Sequence, residues 1–303
     1  MSNEIPLLVI MGPTASGKSA LALEAARQLN GEIVSVDSMQ IYRELEIGTA
    51  QPTREEQTEI PHHLVGCFDF HHKIDVYQFQ SLADHAIAEI QSRGKLPILA
   101  GGTGMYLRAI LYGIDNLPAD EQLRKQLDAE YDHKAGEAAL FKKMAQLDPV
   151  AYERWRHCRR RLIRALEVKL LTGKSIIELQ KISKDLLRYP VKAWKLELPN
   201  DILRKRISDR AAAMLKSGWI EEARRAIANG LLGSPTAHQA IGYKLIGEYL
   251  ANRLDIAQLH EKISTATWQF ARRQKTWFRH QHPEAQELAI ESAPKLAELY
   301  LNS

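Results

Sequence analysis

Apolar residues recur along this chain in two rhythms. The first is a set of short, nearly unbroken runs at 6–11, 32–37, 63–67 and 96–100, typified by Leu7-Leu8-Val9-Ile10-Met11 and Leu96-Pro97-Ile98-Leu99-Ala100. Runs this short and this apolar read as strands buried on both faces. The second rhythm has helical spacing and fills 19–29 and 77–93, with a shorter stretch at 105–113. Strands alternating with helices predict a parallel sheet covered by helices. The pattern then changes. Residues 116–188 are charge-rich, helical in rhythm and without a strand signal, and one more strand follows at 191–198. From 201 to 300 the chain reads as mostly helical, with Ile202, Ile207, Ala211 and Leu215 near one face. The expected organisation is an α/β core from 1–115 and 189–303 with a helical C-terminal part, interrupted by a helical insertion at 116–188. No internal repeat is evident.

Between the first strand and the first helix lies Gly12-Pro13-Thr14-Ala15-Ser16-Gly17-Lys18-Ser19, a complete G-x-x-x-x-G-K-[ST] loop. Its strand–loop–helix setting is the one the motif requires, so the fold class is α/β of the P-loop NTPase-like kind. Glycines let backbone amides turn inward around a polyphosphate, and the helix start adds partial positive charge. Lys18 is expected on the terminal phosphate and the Ser19 hydroxyl on Mg²⁺. The loop alone does not distinguish ATP from another polyphosphate.

Ligands of such sheets sit beyond the C-terminal strand ends. The second strand runs into Asp37-Ser38-Met39-Gln40, which puts a carboxylate at the mouth of the site. Asp37 could hold Mg²⁺ through water, act as a general base, or cap a helix. The fourth strand runs into Gly101-Gly102-Thr103-Gly104. Such glycine density marks a tight turn or a backbone pressed against a ligand, with Thr103 offering a hydroxyl.

Basic residues concentrate at 154–164, 204–210 and 272–279. The first segment holds six arginines, and Arg156, Arg160 and Arg164 would share one helix face, with Arg161 beside it. It suits a phosphate backbone, or a solvated face paired with Glu153 and Glu167. The third interleaves Trp268, Phe270, Trp277 and Phe278 with Arg272, Arg273, Lys275 and Arg279. That mixture suits base stacking and phosphate binding, or the core face of an amphipathic helix. In the second, Arg206 and Arg210 form an i, i+4 pair, and one of them could reach the P-loop ligand. His62-His63 and His71-His72 read as loop or strand residues, not metal ligands. The net charge of +4 over 303 residues adds little to this local density. The two cysteines, Cys67 and Cys158, offer no disulfide framework. No apolar run reaches the ~20 residues that span a membrane, and Met1-Ser2-Asn3-Glu4 lacks the basic start of a signal peptide. A cytoplasmic, monomeric protein is expected.

Taken in order, several segments resemble the tRNA dimethylallyltransferases, or tRNA isopentenyltransferases. They are the P-loop, Asp37-Ser38-Met39-Gln40-Ile41-Tyr42-Arg43, Gly101-Gly102-Thr103-Gly104-Met105-Tyr106-Leu107, Arg161-Leu162-Ile163-Arg164-Ala165-Leu166-Glu167, Ile241-Gly242-Tyr243-Lys244 and Arg273-Gln274-Lys275-Thr276-Trp277-Phe278-Arg279. The similarity runs from about 7 to 279, and the Asp-Ser-Met-Gln-Ile-Tyr run is its most specific part. No Cys/His set for a C-terminal zinc finger is present, which points to the bacterial type. The resemblance implies transfer of a dimethylallyl group from dimethylallyl diphosphate to N6 of the adenosine 3′ of the anticodon in tRNA. The P-loop would hold the diphosphate and not ATP, with Asp37 as base and Lys18 and Arg210 facing the leaving group. Thr103 would lie between the substrates. It further implies contacts to the anticodon stem-loop from Asp37, Ser38, Met39, Gln40, Thr103, Arg124, Arg160, Arg161, Leu162, Ile163 and Arg164. The same holds for Gln239, Ala240, Ile241, Gly242, Tyr243, Lys244, Arg272, Arg273, Gln274, Lys275, Thr276, Trp277, Phe278 and Arg279. A free-nucleotide (adenylate) prenyltransferase, a small-molecule P-loop kinase and an RNA-binding NTPase are the competing readings.

Overall fold

A computed structural model of the chain describes residues 5–180, 186–282, 285–289 and 295–302. Residues 1–4, on which the signal-peptide expectation rests, lie outside these, as do residues 181–185 of the expected insertion. The chain divides into two compact units, Met1–Leu111 with Leu187–Ser303, and Tyr112–Leu186.

The first unit is built on a six-stranded sheet in the order β3-β2-β4-β1-β5-β6. The strands are β1 Leu7–Met11, β2 Gly31–Val36, β3 His62–His63, β4 Leu96–Gly101, β5 Val191–Glu197 and β6 Gln286–Ala289. Every pairing is parallel. β1 and β2 are buried at every residue, which is why their sequences do not alternate. The helix Lys18–Leu29 packs Leu21, Ala22, Ala25 and Ala26 against Ile10, Ile33, Ile98 and Trp194. The register sets Met11 and Val36 both beside Gly101, so three strands end together and their following loops converge.

Two strands depart from the expected pattern. The run 63–67 shortens to His62–His63, because Leu64 and Gly66 take left-handed backbone at φ 63° and 58° and turn the chain away. β6 has no apolar run to announce it. It is an edge strand with one inward residue, Leu288.

The second unit is helical. Its helices Glu121–Tyr131, Glu137–Leu147, Pro149–Trp155 and Arg159–Thr172 bury Leu127, Leu140, Met144, Leu162, Ile163 and Leu166 together. The expected arginine face does not form. Pro149–Trp155 ends with Arg156 as its C-cap, and Cys158 caps the start of Arg159–Thr172. Arg156 therefore leaves the series that Arg160 and Arg164 continue.

Candidate active site

The P-loop leaves β1 at Gly12, where a Cβ would come 3.0 Å from Ser16 Oγ and 3.2 Å from Leu196 Cβ. Ala15 and Gly17 take left-handed φ of 62° and 98°, which turns successive amides toward one centre. Gly17 is the N-cap of Lys18–Leu29 and offers no side-chain acceptor, so the helix's first amides remain open to an anion. Lys18 folds back with Nζ 3.4 Å from the carbonyl of Pro13. Burial pushes its ammonium down to about 8, opposed by the charge of Asp37 and reinforced by that of Arg210. Arg210 is likewise shifted down by burial, with Asp37 opposing. Arg206 donates to Ser16 O at 3.2 Å, bracing the loop from the helix Asn200–Lys216.

Asp37 follows β2 directly. Its Oδ1 accepts from the amides of Met39 at 2.9 Å and Gln40 at 3.4 Å, the local turn that Asp favours after a strand. Its Oδ2 makes no hydrogen bond among the described residues. Gln40 does not present its amide to a ligand. Oε1 accepts from Ser35 Oγ at 2.7 Å, and Nε2 donates to Thr49 O at 3.1 Å and Ala50 O at 2.8 Å. Thr103 Oγ1 accepts from the Ser38 amide at 3.1 Å, so the hydroxyl anchors the segment after Asp37.

The glycines around Thr103 answer to close approach, not to a ligand. A Cβ on Gly101 would sit 2.1 Å from Val36 O, on Gly102 2.3 Å from Gln274 Nε2, and on Gly104 2.1 Å from Trp277 Cδ1. Two of these neighbours come from the long helix Ile256–Gln281. Gln274, 5% exposed, accepts from the Thr14 amide at 2.8 Å and donates to Gly102 O at 2.9 Å. It clasps the P-loop to the 101–104 loop. Sequence reasoning placed it on RNA; the signal that could have found its task is a polar residue on the buried helix face between Ala271 and Phe278.

Two clefts adjoin here. One, of about 390 Å³, is lined by Lys18, Ser19, Gln51, Pro52, Glu56, His62 and Arg206. The other, of about 270 Å³, is more apolar, lined by Met39, Ile207, Met214, Trp219, Ile241, Ile263 and Phe270 with Arg273. Thr14, Ala15, Asp37, Thr49 and Arg210 line both. The segment 48–52 was missed in the sequence, since nothing in its residue types marks it.

The residues expected on RNA divide by exposure. Gln239, Lys244, Arg272, Arg273, Thr276 and Arg279 are exposed, and Ser38, Met39, Ala240 and Ile241 line the apolar cleft. Others are withdrawn into the protein. Phe278 is 1% exposed, Tyr243 is fully buried with its hydroxyl on Glu222, and Trp277 packs on Gly104. Lys275 donates to Leu198 O and Asn200 Oδ1, and Gly242 turns the chain at φ 100°. In the helical unit Arg160 and Arg161 are exposed. Leu162 and Ile163 are core residues. Arg124 and Arg164 both pair with the buried Glu167, Arg164 also donating to the carbonyls of Leu117 and Pro118. Burial alone would disfavour that carboxylate, so the two arginines belong to its neutralisation.

The IPP transferase family profile matches residues 40–281, and an isopentenyl transferase profile matches 5–62. A tRNA dimethylallyltransferase of Exiguobacterium sp. is 41% identical over 284 residues, spanning 92% of this chain and 89% of the relative. One from Kocuria rhizophila is 38% identical over 276 residues, 91% and 87% of the two chains. The crystal structure of a tRNA isopentenylpyrophosphate transferase from Bacillus halodurans superposes with TM-score 0.73 at 33% identity, covering 99% of this chain and 96% of that one. A eukaryotic dimethylallyltransferase caught acting on tRNA gives TM-score 0.78 at 27% identity over 99% and 76%.

Proposed function

The chain belongs to the tRNA dimethylallyltransferase family, and on that premise we propose that it transfers the dimethylallyl group of dimethylallyl diphosphate to N6 of the adenosine 3′ of the anticodon in tRNA. The carrying observation is that Asp37 and Arg210 line both clefts. A proton acceptor and a cation thus stand where a phosphate-binding loop meets an apolar cavity.

The chemistry follows from that junction. The diphosphate lies on the open amides of the P-loop, with Lys18, Arg206 and Arg210 around it. The acceptor adenine, flipped from its stack, enters the apolar cleft. As the N6–C1 bond forms, the C1–O bond breaks and its electron pair leaves with the diphosphate. Asp37 takes the proton that N6 sheds, through its unbonded Oδ2. Lys18 and Arg210 stabilise the charge that builds on the departing oxygen. Thr103 holds Ser38 and so keeps the segment carrying Asp37 in place.

Ser19, at the start of a helix, lines the same P-loop cleft as Asp37. Hard oxygen donors of this kind fit Mg²⁺, which Ser19 would hold. When bound, the ion supplies further neutralisation of diphosphate charge. The exposed Arg160, Arg161, Gln239, Lys244, Arg272, Arg273, Thr276 and Arg279 would meet the anticodon stem-loop. No described helix is long and apolar enough to cross a membrane, and a tRNA substrate agrees with a cytoplasmic setting.

The test supplies Mg²⁺ and labelled dimethylallyl diphosphate with an unmodified anticodon stem-loop in one reaction and AMP in another. Label is expected on the RNA alone. Asp37→Ala should lower turnover by roughly 10²–10⁴-fold, the range of a general base, while inorganic diphosphate still binds. Label on AMP alone would make this a free-nucleotide prenyltransferase, and ATP turnover with no transfer would make it a kinase.

A further inference from the structure

Four carboxylates are buried among the described residues, and three have a plain task. Glu32 faces Arg93, Lys95 and His63. Glu167 faces Arg124 and Arg164. Asp148 caps the helix Pro149–Trp155. Glu222, 3% exposed, has no cation partner among the described residues. Its Oε2 accepts from the amide of Ile47 at 2.7 Å, and its Oε1 accepts from the amide of Gly48 at 2.9 Å and the hydroxyl of Tyr243 at 2.7 Å. A buried charge held by three donors and no counter-ion is costly unless each donor stays in place.

Those donors belong to two walls of the apolar cleft. Ile47 and Gly48 lie in the short helix Glu46–Thr49, whose Gly48 and Thr49 line the cleft. Tyr243 follows Gln239, Ala240 and Ile241, which line the cleft as well. The packing admits no slack. A Cβ on Gly48 would meet Trp219 Nε1 at 2.2 Å and Tyr243 Oη at 2.4 Å, and one on Gly242 would meet the Trp219 ring at 2.3 Å. Gln40 holds the far end of the same short helix through Thr49 O and Ala50 O.

We propose that Glu222 is a positioning residue that clamps these two walls and thereby sets the seat of the acceptor base. It touches neither the P-loop nor the cleft directly, so it should govern use of the nucleic acid substrate and leave the diphosphate alone. This rests on the reading of the apolar cleft as the base site.

Glu222→Gln keeps the volume but turns a donor toward amides that need an acceptor. We expect it to raise the KM for the stem-loop roughly ten-fold or more, the worth of a charge-assisted hydrogen bond, with the KM for dimethylallyl diphosphate within two-fold. Tyr243→Phe removes a single bond and should shift the stem-loop KM in the same direction by a few-fold. Hydrogen exchange should quicken at the amides of Ile47 and Gly48 in Glu222→Gln while the β1 and β4 amides stay protected. Equal shifts in both KM values, or no shift in either variant, would overturn the proposal. If the wild-type protein moves no label to RNA, the functional reading fails by itself. The clamp is then judged on exchange, and unaltered exchange at Ile47 and Gly48 overturns it.

Discussion

Lys18 shows how burial tunes a single residue. Its ammonium is pushed down to about 8 because the cleft removes water, and Arg210 adds to the shift against the opposing pull of Asp37. An anion favours the charged form, so binding diphosphate should draw a proton onto Lys18. The sign follows: above pH 8 the free protein loses the cation, and the affinity for dimethylallyl diphosphate should fall by up to about ten-fold per pH unit. Calorimetry with inorganic diphosphate from pH 7 to 9.5 measures this, and a flat profile would remove Lys18 from the phosphate site. Lys18→Arg, whose guanidinium stays charged, should flatten the curve. At this scale the sequence was legible wherever chemistry is local. Lys18, Ser19 and Asp37 line the P-loop cleft as their motifs imply. It was not legible for Gln274 and Glu222, whose partners lie up to 260 and 175 residues away.

At the scale of elements, the long helix Ile256–Gln281 does two things on opposite faces. Arg272, Thr276 and Arg279 point to solvent, while Ala271, Gln274 and Phe278 are buried at i, i+3, i+7 spacing. The interleaved basic and aromatic residues therefore belong to two surfaces: the core-face reading holds for Phe278, while Arg272, Arg273 and Arg279 stand exposed, as a phosphate-binding surface would need. Gln274→Leu leaves the Thr14 amide and Gly102 carbonyl buried without partners. That should cost about 2–4 kcal/mol of stability by denaturant titration and weaken diphosphate binding. Gln274→Glu keeps the acceptor for Thr14 and loses only the donor to Gly102, so it should fall between. A Gln274→Leu protein as stable as wild type would show that the clasp carries no weight. Elements with strong periodicity were read correctly from sequence, the helices at 18–29 and 76–92 among them. Those missed were β6, which buries one side chain, and the break at 156–158, where periodicity ran on through a cap.

For the whole molecule, the question is which charges face a polyanion. Of the six arginines at 154–164, Arg164 is committed to Glu167 and Arg159 to Asp132. Arg160, with its side chain 86% exposed, and Arg161 remain at the surface. Replacing both with Ala should weaken stem-loop binding and reduce the magnitude of its log–log salt slope by about 1.5, near 0.7–0.9 per lost phosphate contact. An unchanged slope would return this surface to ordinary solvation. What the sequence determined by itself is the parallel α/β core, the P-loop, the carboxylate after β2 and the family. Each is written in contiguous residues whose spacing matches a local geometry. The tertiary structure alone decided which charges are spent inside the protein, that Gln274 clasps two loops, and that Glu222 binds the amides of a short helix. It also decided that Asp37 and Arg210 stand where two clefts meet. Those outcomes depend on burial and on partners distant in the chain, and neither is encoded in the spacing of neighbouring residues.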